Sequence, residues 1–263
     1  MEIHPKKSLG QNFLIDKNIL KKICEVGNIN QKDNVLEIGP GTGALSEFII
    51  KKKPKKFYVI EKDLRLVKHL NEKFRNTVEI INKDILKYDF KELGNENLII
   101  FGNLPYNISS QILIDLINYT KEDFLFKRFI FMFQKELADR ILAKDNTKQY
   151  GRLSIFSSWK LNIKKIMDIS PSSFFPKPKV MSSLLIFEPK AKFIEFKSAK
   201  NLEFITNIFF NQKRKKIKKP LNIIFKDSKK VIEELNLDIN LRPQNLKKDT
   251  FYKICLIYEK LIK

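Results

Sequence analysis

Between residues 34 and 134, short apolar runs of strand length alternate with stretches whose apolar residues recur at helical spacing. Runs at 34–38, 57–61, 78–81, 98–101 and 129–133 read as strands. Residues 44–52, 64–74 and 109–118 read as helices, the second with Leu64, Val67, Leu70 and Phe74 on one face. Strands joined by crossover helices make a parallel sheet with helices on both faces. Two further runs, 163–169 and 181–187, enclose a Pro-rich turn and no helix, which predicts an antiparallel pair at one sheet edge. The expected fold class is α/β: a Rossmann-like, mostly parallel sheet with an antiparallel edge strand. After Glu188-Pro189 only helical spacing remains, at Leu202, Ile205, Ile208 and Phe209, then Ile232 and Leu235, then Ile254, Ile257, Tyr258 and Leu261. This predicts two domains, an α/β domain at 1–189 and a small all-helical one at 190–263.

Charge separates the two parts. The 263 residues carry 51 Lys+Arg and 30 Asp+Glu, a net +21, of which +11 lies in the last 74 residues. Such an excess draws polyanions, most often nucleic acid. The abundance of Lys, Asn, Ile and Phe, as A+T-rich coding DNA produces, is the competing explanation. The two cysteines, Cys24 and Cys255, have no metal-ligand spacing, and only His4 and His69 could join them. A disulfide framework and a metal site are therefore not expected. The N-terminal residues lack the apolar stretch of a secretion signal, and no run reaches membrane-spanning length. The expectation is a soluble cytoplasmic protein with no membrane partner.

Residues 37–43, Glu-Ile-Gly-Pro-Gly-Thr-Gly, follow a strand and open a helix. Glycines there admit close backbone approach to a ligand or a positive φ, and a plain structural turn would account for them equally well. Two acids change the balance. Glu61 ends the second strand, where a carboxylate can accept from both ribose hydroxyls, and Asp84 follows the third, where it can accept from an adenine amino group. Each alone could be a solvated loop residue, but open sheets bind ligands along the carboxyl edge of their strands. The spacing Gly39-x-Gly41-x-Gly43 is not that of the dinucleotide fingerprint, and no Gly-Lys-Ser/Thr phosphate loop is present. An adenosyl ligand without pyrophosphate, S-adenosylmethionine, fits best.

Asn103-Leu104-Pro105-Tyr106 follows the fourth strand. Asn and Pro punctuate turns, so a strand-ending turn is one reading. Methylation of a base amine supplies another. The exocyclic nitrogen of adenine is a poor nucleophile because its lone pair is delocalised into the ring. The Asn103 side-chain carbonyl and the Leu104 main-chain carbonyl could hold both amine hydrogens and favour a tetrahedral nitrogen. Pro105 stiffens the turn, and Tyr106 could stack on the base and hold it in line with the methyl sulfonium. The target base must be unpaired or extruded.

With these residues in place, the chain resembles the small-subunit ribosomal RNA adenine N6,N6-dimethyltransferases. The resemblance runs from Lys7 to beyond residue 215, through 8–14 (Ser-Leu-Gly-Gln-Asn-Phe-Leu), 37–43, 101–109, 150–154 (Tyr-Gly-Arg-Leu-Ser) and 171–180 (Pro-Ser-Ser-Phe-Phe-Pro-Lys-Pro-Lys-Val). It implies a methyltransferase sheet and transfer of methyl groups from S-adenosylmethionine to N6 of two adjacent adenines in the terminal hairpin loop. S-adenosylhomocysteine leaves as product, and no metal takes part. It implies cofactor contacts at Asn12, Leu14, Gly39, Gly41, Glu61, Asp84 and Asn103, and a target adenine between Tyr106 and Phe174. The implied partner is a small-subunit precursor with its rRNA; no coiled-coil pattern in the sequence suggests anything beyond a monomer. In the tail, Lys213, Arg214, Lys215 and Lys216 resemble an RNA-binding segment usually richer in arginine. Pro220 is unusual there and marks a helix break or start. Gln111 replaces a proline common in relatives.

Three other readings are weighed. A large-subunit rRNA adenine methyltransferase is disfavoured by Leu104, by residues 171–180 and by the separate basic tail. A non-catalytic nucleic-acid-binding relative need not keep Gly39, Glu61, Asn103 and Tyr106 together. A DNA amino-methyltransferase would carry a target-recognition domain, which nothing here resembles.

Overall fold

The computed structural model describes residues 4–6, 9–93, 98–119 and 126–261; Lys7 and Ser8 of the N-terminal motif lie outside them. The chain divides into two compact units, Met1–Ala138 with Leu161–Pro189, and Asp139–Lys160 with Lys190–Lys263.

The first unit contains β1 (Phe13–Leu14), α1 (Lys17–Gly27), β2 (Asn34–Ile38), α2 (Ala44–Ile50), β3 (Lys56–Ile60), α3 (Leu64–Phe74), β4 (Glu79–Ile81), β5 (Leu98–Asn103), α4 (Ser109–Tyr119) and β6 (Phe126–Gln134). The chain continues through α5 (Lys135–Leu142) and α6 (Arg152–Lys160) to β7 (Leu161–Ile169), β8 (Phe174–Phe175) and β9 (Ser182–Pro189). Seven strands form one sheet in the order β4-β3-β2-β5-β6-β9-β7. The pairs β4-β3, β3-β2, β2-β5 and β5-β6 are parallel. β9 runs against both of its neighbours, so the antiparallel strand sits one place in from the edge and β7 closes the sheet. All five residues of β2 are buried, which explains a continuous apolar run in place of alternation. A separate two-stranded ribbon pairs β1 with β8, Phe13 opposite Phe175 and Leu14 opposite Phe174.

Register brings the strand ends together. Ile38 lies opposite both Ile60 and Gly102, Ile60 opposite Ile81, and Asn103 opposite Met132. The loops that follow β2, β3, β4 and β5 therefore leave the sheet along one edge. The strand order reverses between β2 and β5, the place where open sheets hold ligands.

α1 had no counterpart in the sequence reading. Its start is fixed by Asp16, whose carboxylate accepts from the amides of Asn18 at 2.9 Å and Ile19 at 3.2 Å. Leu20 and Ile23 face the core, and each contributes roughly 1.5–3 kcal/mol by leaving water.

The second unit holds α6 together with α7 (Ala199–Asn211), α8 (Lys218–Ile224), α9 (Ser228–Glu234) and α10 (Lys248–Leu261). The expected division at residue 190 differs from this by residues 139–160, which group with the tail. α6 is bound there: the Tyr252 hydroxyl donates to the Ile155 carbonyl at 2.7 Å, and the Trp159 indole to the Ile194 carbonyl at 2.6 Å. The buried Glu259 carboxylate accepts from the amides of Lys197 at 2.9 Å and Ser198 at 3.2 Å and from the Asn201 side chain at 2.6 Å. Pro220 is in the first turn of α8, where a missing N–H costs nothing, so it marks a helix start. The five basic and two acidic residues of 139–160 bring this unit to +14.

Candidate functional site

The loops at the carboxyl edge of the first unit enclose a cavity of about 250 Å³. Its wall includes Asn12, Leu14, Gly39, Gly41, Glu61, Asp84, Asn103, Leu104 and Tyr106, nine of the ten cofactor and catalytic positions expected from sequence. The exception is Phe174.

Gly39 and Gly41 have φ of +64° and +58°, a conformation that L side chains rarely adopt. A Cβ on Gly39 would meet no atom within 4 Å and would stand in open space beside the backbone. One on Gly41 would come within 2.8 Å of the Phe13 ring. Phe13 therefore lies over the glycine turn, and as a wall residue it went unnoticed in the sequence. At Gly39 the turn leaves its main chain open to a ligand.

Glu61 is buried just beyond β3 and accepts the Asp63 amide at 2.8 Å. Burial raises its carboxyl above the ordinary range, against hydrogen bonds from the amides of Asp63, Lys62 and Gly41 that favour the charged form. Glu37, buried in β2 behind the glycine turn, accepts the Ser46 hydroxyl at 2.6 Å, and burial pushes its carboxyl up to about 7. Asp84 reaches the cavity with partners on both oxygens: the Lys62 ammonium at 2.7 Å and the Leu86 amide at 3.1 Å. The Lys62 contact holds its carboxyl below the usual range. Carboxylate oxygens accept more than one bond, so both remain usable by an adenine amino group.

The N-terminal segment is tied down over this edge. Asp63 caps α3 and takes two hydrogen bonds from the Arg65 guanidinium, at 3.2 and 2.6 Å, with Gln11 donating at 3.3 Å. The Arg65 guanidinium holds the Asp63 carboxyl at about 2. Arg65 also donates to the His4 carbonyl at 3.3 Å. Asn12, the next residue after Gln11, offers its main-chain carbonyl to the Asn103 side-chain amide at 2.8 Å. Its own side-chain amide donates to the Gly10 carbonyl at 3.4 Å.

Asn103 ends β5 half-buried, with its Nδ2 engaged by Asn12, and the amide oxygen is the acceptor it can present to a ligand. The Leu104 side chain is buried and anchors the turn. Amides of Ile108 and Ser109 both reach the Pro105 carbonyl at 3.1 Å, and the Ser109 hydroxyl donates to the Tyr106 carbonyl at 3.2 Å. This is a stiff loop. The Tyr106 hydroxyl is 2.7 Å from that of Ser182, a buried residue at the start of β9 that sequence reasoning did not single out.

Phe174 differs from its expected place. Side chains alternate along a strand, and here Phe174 turns inward, 3% exposed, into the core beside Leu14, while Phe175 turns out. In the second unit, Arg214, Lys215 and Lys216 are exposed, and Lys216 donates to the Asn240 side chain at 2.8 Å. Lys213 is engaged otherwise: its ammonium donates to the carbonyls of Lys148 at 2.6 Å and Tyr150 at 2.8 Å, and burial lowers its affinity for the proton. It staples the 148–150 turn. Cys24 and Cys255 are buried free thiols. Among the described residues, no helix is long and apolar enough to cross a membrane.

A family profile described as ribosomal RNA adenine dimethylase matches residues 3–260. A ribosomal RNA small subunit methyltransferase A of Pelagibacter ubique is 54% identical over 99% of both chains. One of Malacoplasma penetrans is 40% identical over 95% of this chain and 90% of its own. Among solved structures, a dimethyladenosine transferase from Plasmodium falciparum superposes with a TM-score of 0.82 at 28% identity, covering 94% of this chain and 98% of its own.

Proposed function

The chain belongs to the ribosomal RNA adenine dimethylase family, and from that premise we propose how its residues carry two methyl groups to N6 of each of two adjacent adenines in the 3′-terminal hairpin loop of small-subunit rRNA. The observation that carries the reading is the Asn103 amide, clamped through its nitrogen by the Asn12 carbonyl at the mouth of the cavity.

S-adenosylmethionine, when bound, supplies a methyl group activated by a sulfonium. Glu61 would take its ribose hydroxyls, Asp84 its adenine amino group, and the main chain at Gly39 and Gly41 would lie against it, with Asn12 and Leu14 as walls. For the first methyl group the Asn103 side-chain oxygen and the Leu104 carbonyl accept the two hydrogens of the target amine, and for the second one of them accepts the single hydrogen that remains. Held by two acceptors, the nitrogen leaves the plane of the base and its lone pair points at the incoming carbon. Tyr106 stacks on the extruded base and fixes the distance of attack. Phe174 packs behind Leu14 and supports this wall from the core. No strong base is required, since the nitrogen sheds its proton to solvent after transfer, and no step calls for a metal.

Arg214, Lys215 and Lys216, on the unit that carries most of the charge, bind rRNA phosphates. The reaction takes place on a precursor of the small subunit, with one copy of the chain acting in the cytoplasm. Support comes from the small-subunit names of relatives across the full chain and from nine expected site residues lining a single cavity of one polypeptide. Incubation with unmethylated small and large subunits and labelled cofactor, followed by mapping of modified bases, tests the reading. Label confined to two adjacent small-subunit adenines supports it; label in the large subunit, or in neither, overturns it.

A further inference from the structure

Residues 175–181 join two elements that border the site, and the chemistry above leaves them unused. The segment departs from the β1–β8 ribbon at Phe175 and rejoins the sheet at Ser182, whose hydroxyl meets that of Tyr106. One end adjoins the wall built by Phe13, the other the ring assigned to the target base. Cross-strand partners project from the same face of a ribbon, so Phe175 stands beside Phe13, a wall residue, just outside the cavity itself. Phe175 is 55% exposed, and Val180 and Met181 continue the apolar surface at 44% and 42%. Exposed Lys177 and Lys179 are interleaved with Pro176 and Pro178, which limit the conformations of the segment.

An exposed aromatic ring beside two ammonium groups, on a backbone held at both ends, suits single-stranded RNA: the ring offers a stacking face and the lysines meet phosphates. A protein partner fits less well, because lysine is depleted from the cores of protein interfaces. We infer that Phe175 stacks on a base flanking the target adenine while Lys177 and Lys179 hold the adjoining phosphates, so the segment fixes the path of the strand beside the target. This rests on the assignment of an rRNA adenine as substrate.

The test compares the full-length protein with Phe175→Ala, Phe175→Leu and Phe175→Tyr on unmethylated small ribosomal subunits. Phe175→Ala and Phe175→Leu lower kcat/KM for methyl transfer about tenfold, Phe175→Tyr restores it, and S-adenosylmethionine affinity is unchanged in all three. Replacing Lys177 and Lys179 by Gln reduces the slope of log affinity against log salt by roughly 1–2. Activity of Phe175→Ala equal to that of the parent overturns the inference. So does full rescue by Leu, which has apolar bulk without a π face and would point to a protein contact. Weakened cofactor affinity in Phe175→Ala overturns it too, since the residue would then be structural. If the parent itself fails to methylate the small subunit, the substrate assignment falls first.

Discussion

The side-chain amide of Asn103 donates to the main-chain carbonyl of Asn12 across 2.8 Å, joining residues 91 positions apart in the chain. The bond sets which way the amide faces, so the acceptor that meets the substrate is chosen by the N-terminal segment. Asn103→Asp replaces the donor with a second oxygen that confronts the Asn12 carbonyl. An unpaired, half-buried contact of this kind costs about 1–3 kcal/mol. The expected result is a fall in kcat of roughly 10- to 100-fold, with cofactor affinity within a few-fold of the parent, read by single-turnover kinetics and calorimetry.

Tyr106 and Ser182 share a hydrogen bond 2.7 Å long between a strand-end loop and β9. Tyr106→Phe and Ser182→Ala each remove it while leaving the stacking ring in place. Each should lower kcat/KM for rRNA by roughly 3- to 10-fold, the worth of one neutral hydrogen bond. The double variant should lose no more than either single one, the mark of a coupled pair. Additive losses in a double-mutant cycle would show that the two hydroxyls act separately.

Glu37 makes stability depend on pH. Burial raises its carboxyl to about 7, with the Ser46 hydroxyl and Lys73 opposing and Glu61 adding to the rise. Between the ordinary carboxylate range and about 7 the folded protein keeps a proton that the unfolded chain releases. Stability therefore falls as pH rises through that window, by up to roughly 3 kcal/mol, and levels off above it. Denaturant titrations should show this slope in the parent and a shallower one in Glu37→Gln, where the raised carboxyl of Glu61 remains. A cationic ligand in the cavity favours the carboxylate, so S-adenosylmethionine binding near neutral pH should release a proton. Calorimetry in buffers of differing ionisation enthalpy measures that release, and Glu37→Gln should abolish it.

Lys213 and its three successors should separate in two assays. Gln at Arg214, Lys215 and Lys216 lowers the slope of log RNA affinity against log salt by roughly 2–3, since three fewer counterions are released. Lys213→Gln leaves that slope unchanged but weakens the fold, because the carbonyls of Lys148 and Tyr150 lose their donor. Thermal melts and salt titrations on the two variants check both halves.

The sheet and its cavity were readable because their signals are local. Continuous apolar runs mark strands buried on both faces, and the glycine turn, Glu61, Asp84 and Asn103 each lie at a strand end or within three residues after one. What escaped depends on contacts distant in sequence or on a pattern without contrast. α6 is buried on nearly every side at Ser154, Ile155, Phe156, Ser157, Trp159 and Lys160, so it has no polar stripe to give it a period. α1 did carry a signal, Asp16 ahead of Ile19, Leu20 and Ile23, but it stood outside the strand–helix alternation. The ribbon of β1 and β8 is two residues long in each strand, and the family resemblance that named Phe174 cannot say which of two adjacent phenylalanines turns inward. Ser182 and Lys213 take their roles from partners 76 and 63–65 residues away. No spacing rule reaches that far.

The central claim is that the Asn103 oxygen grips the target amine. Single-turnover methyl transfer by Asn103→Ala, with S-adenosylmethionine affinity measured on the same preparation, tests it most directly. Removal of one aimed acceptor should slow transfer by roughly 100- to 1,000-fold while the cofactor binds within a few-fold of the parent. Transfer at a rate close to the parent's, by a variant that still folds and binds cofactor, would contradict it.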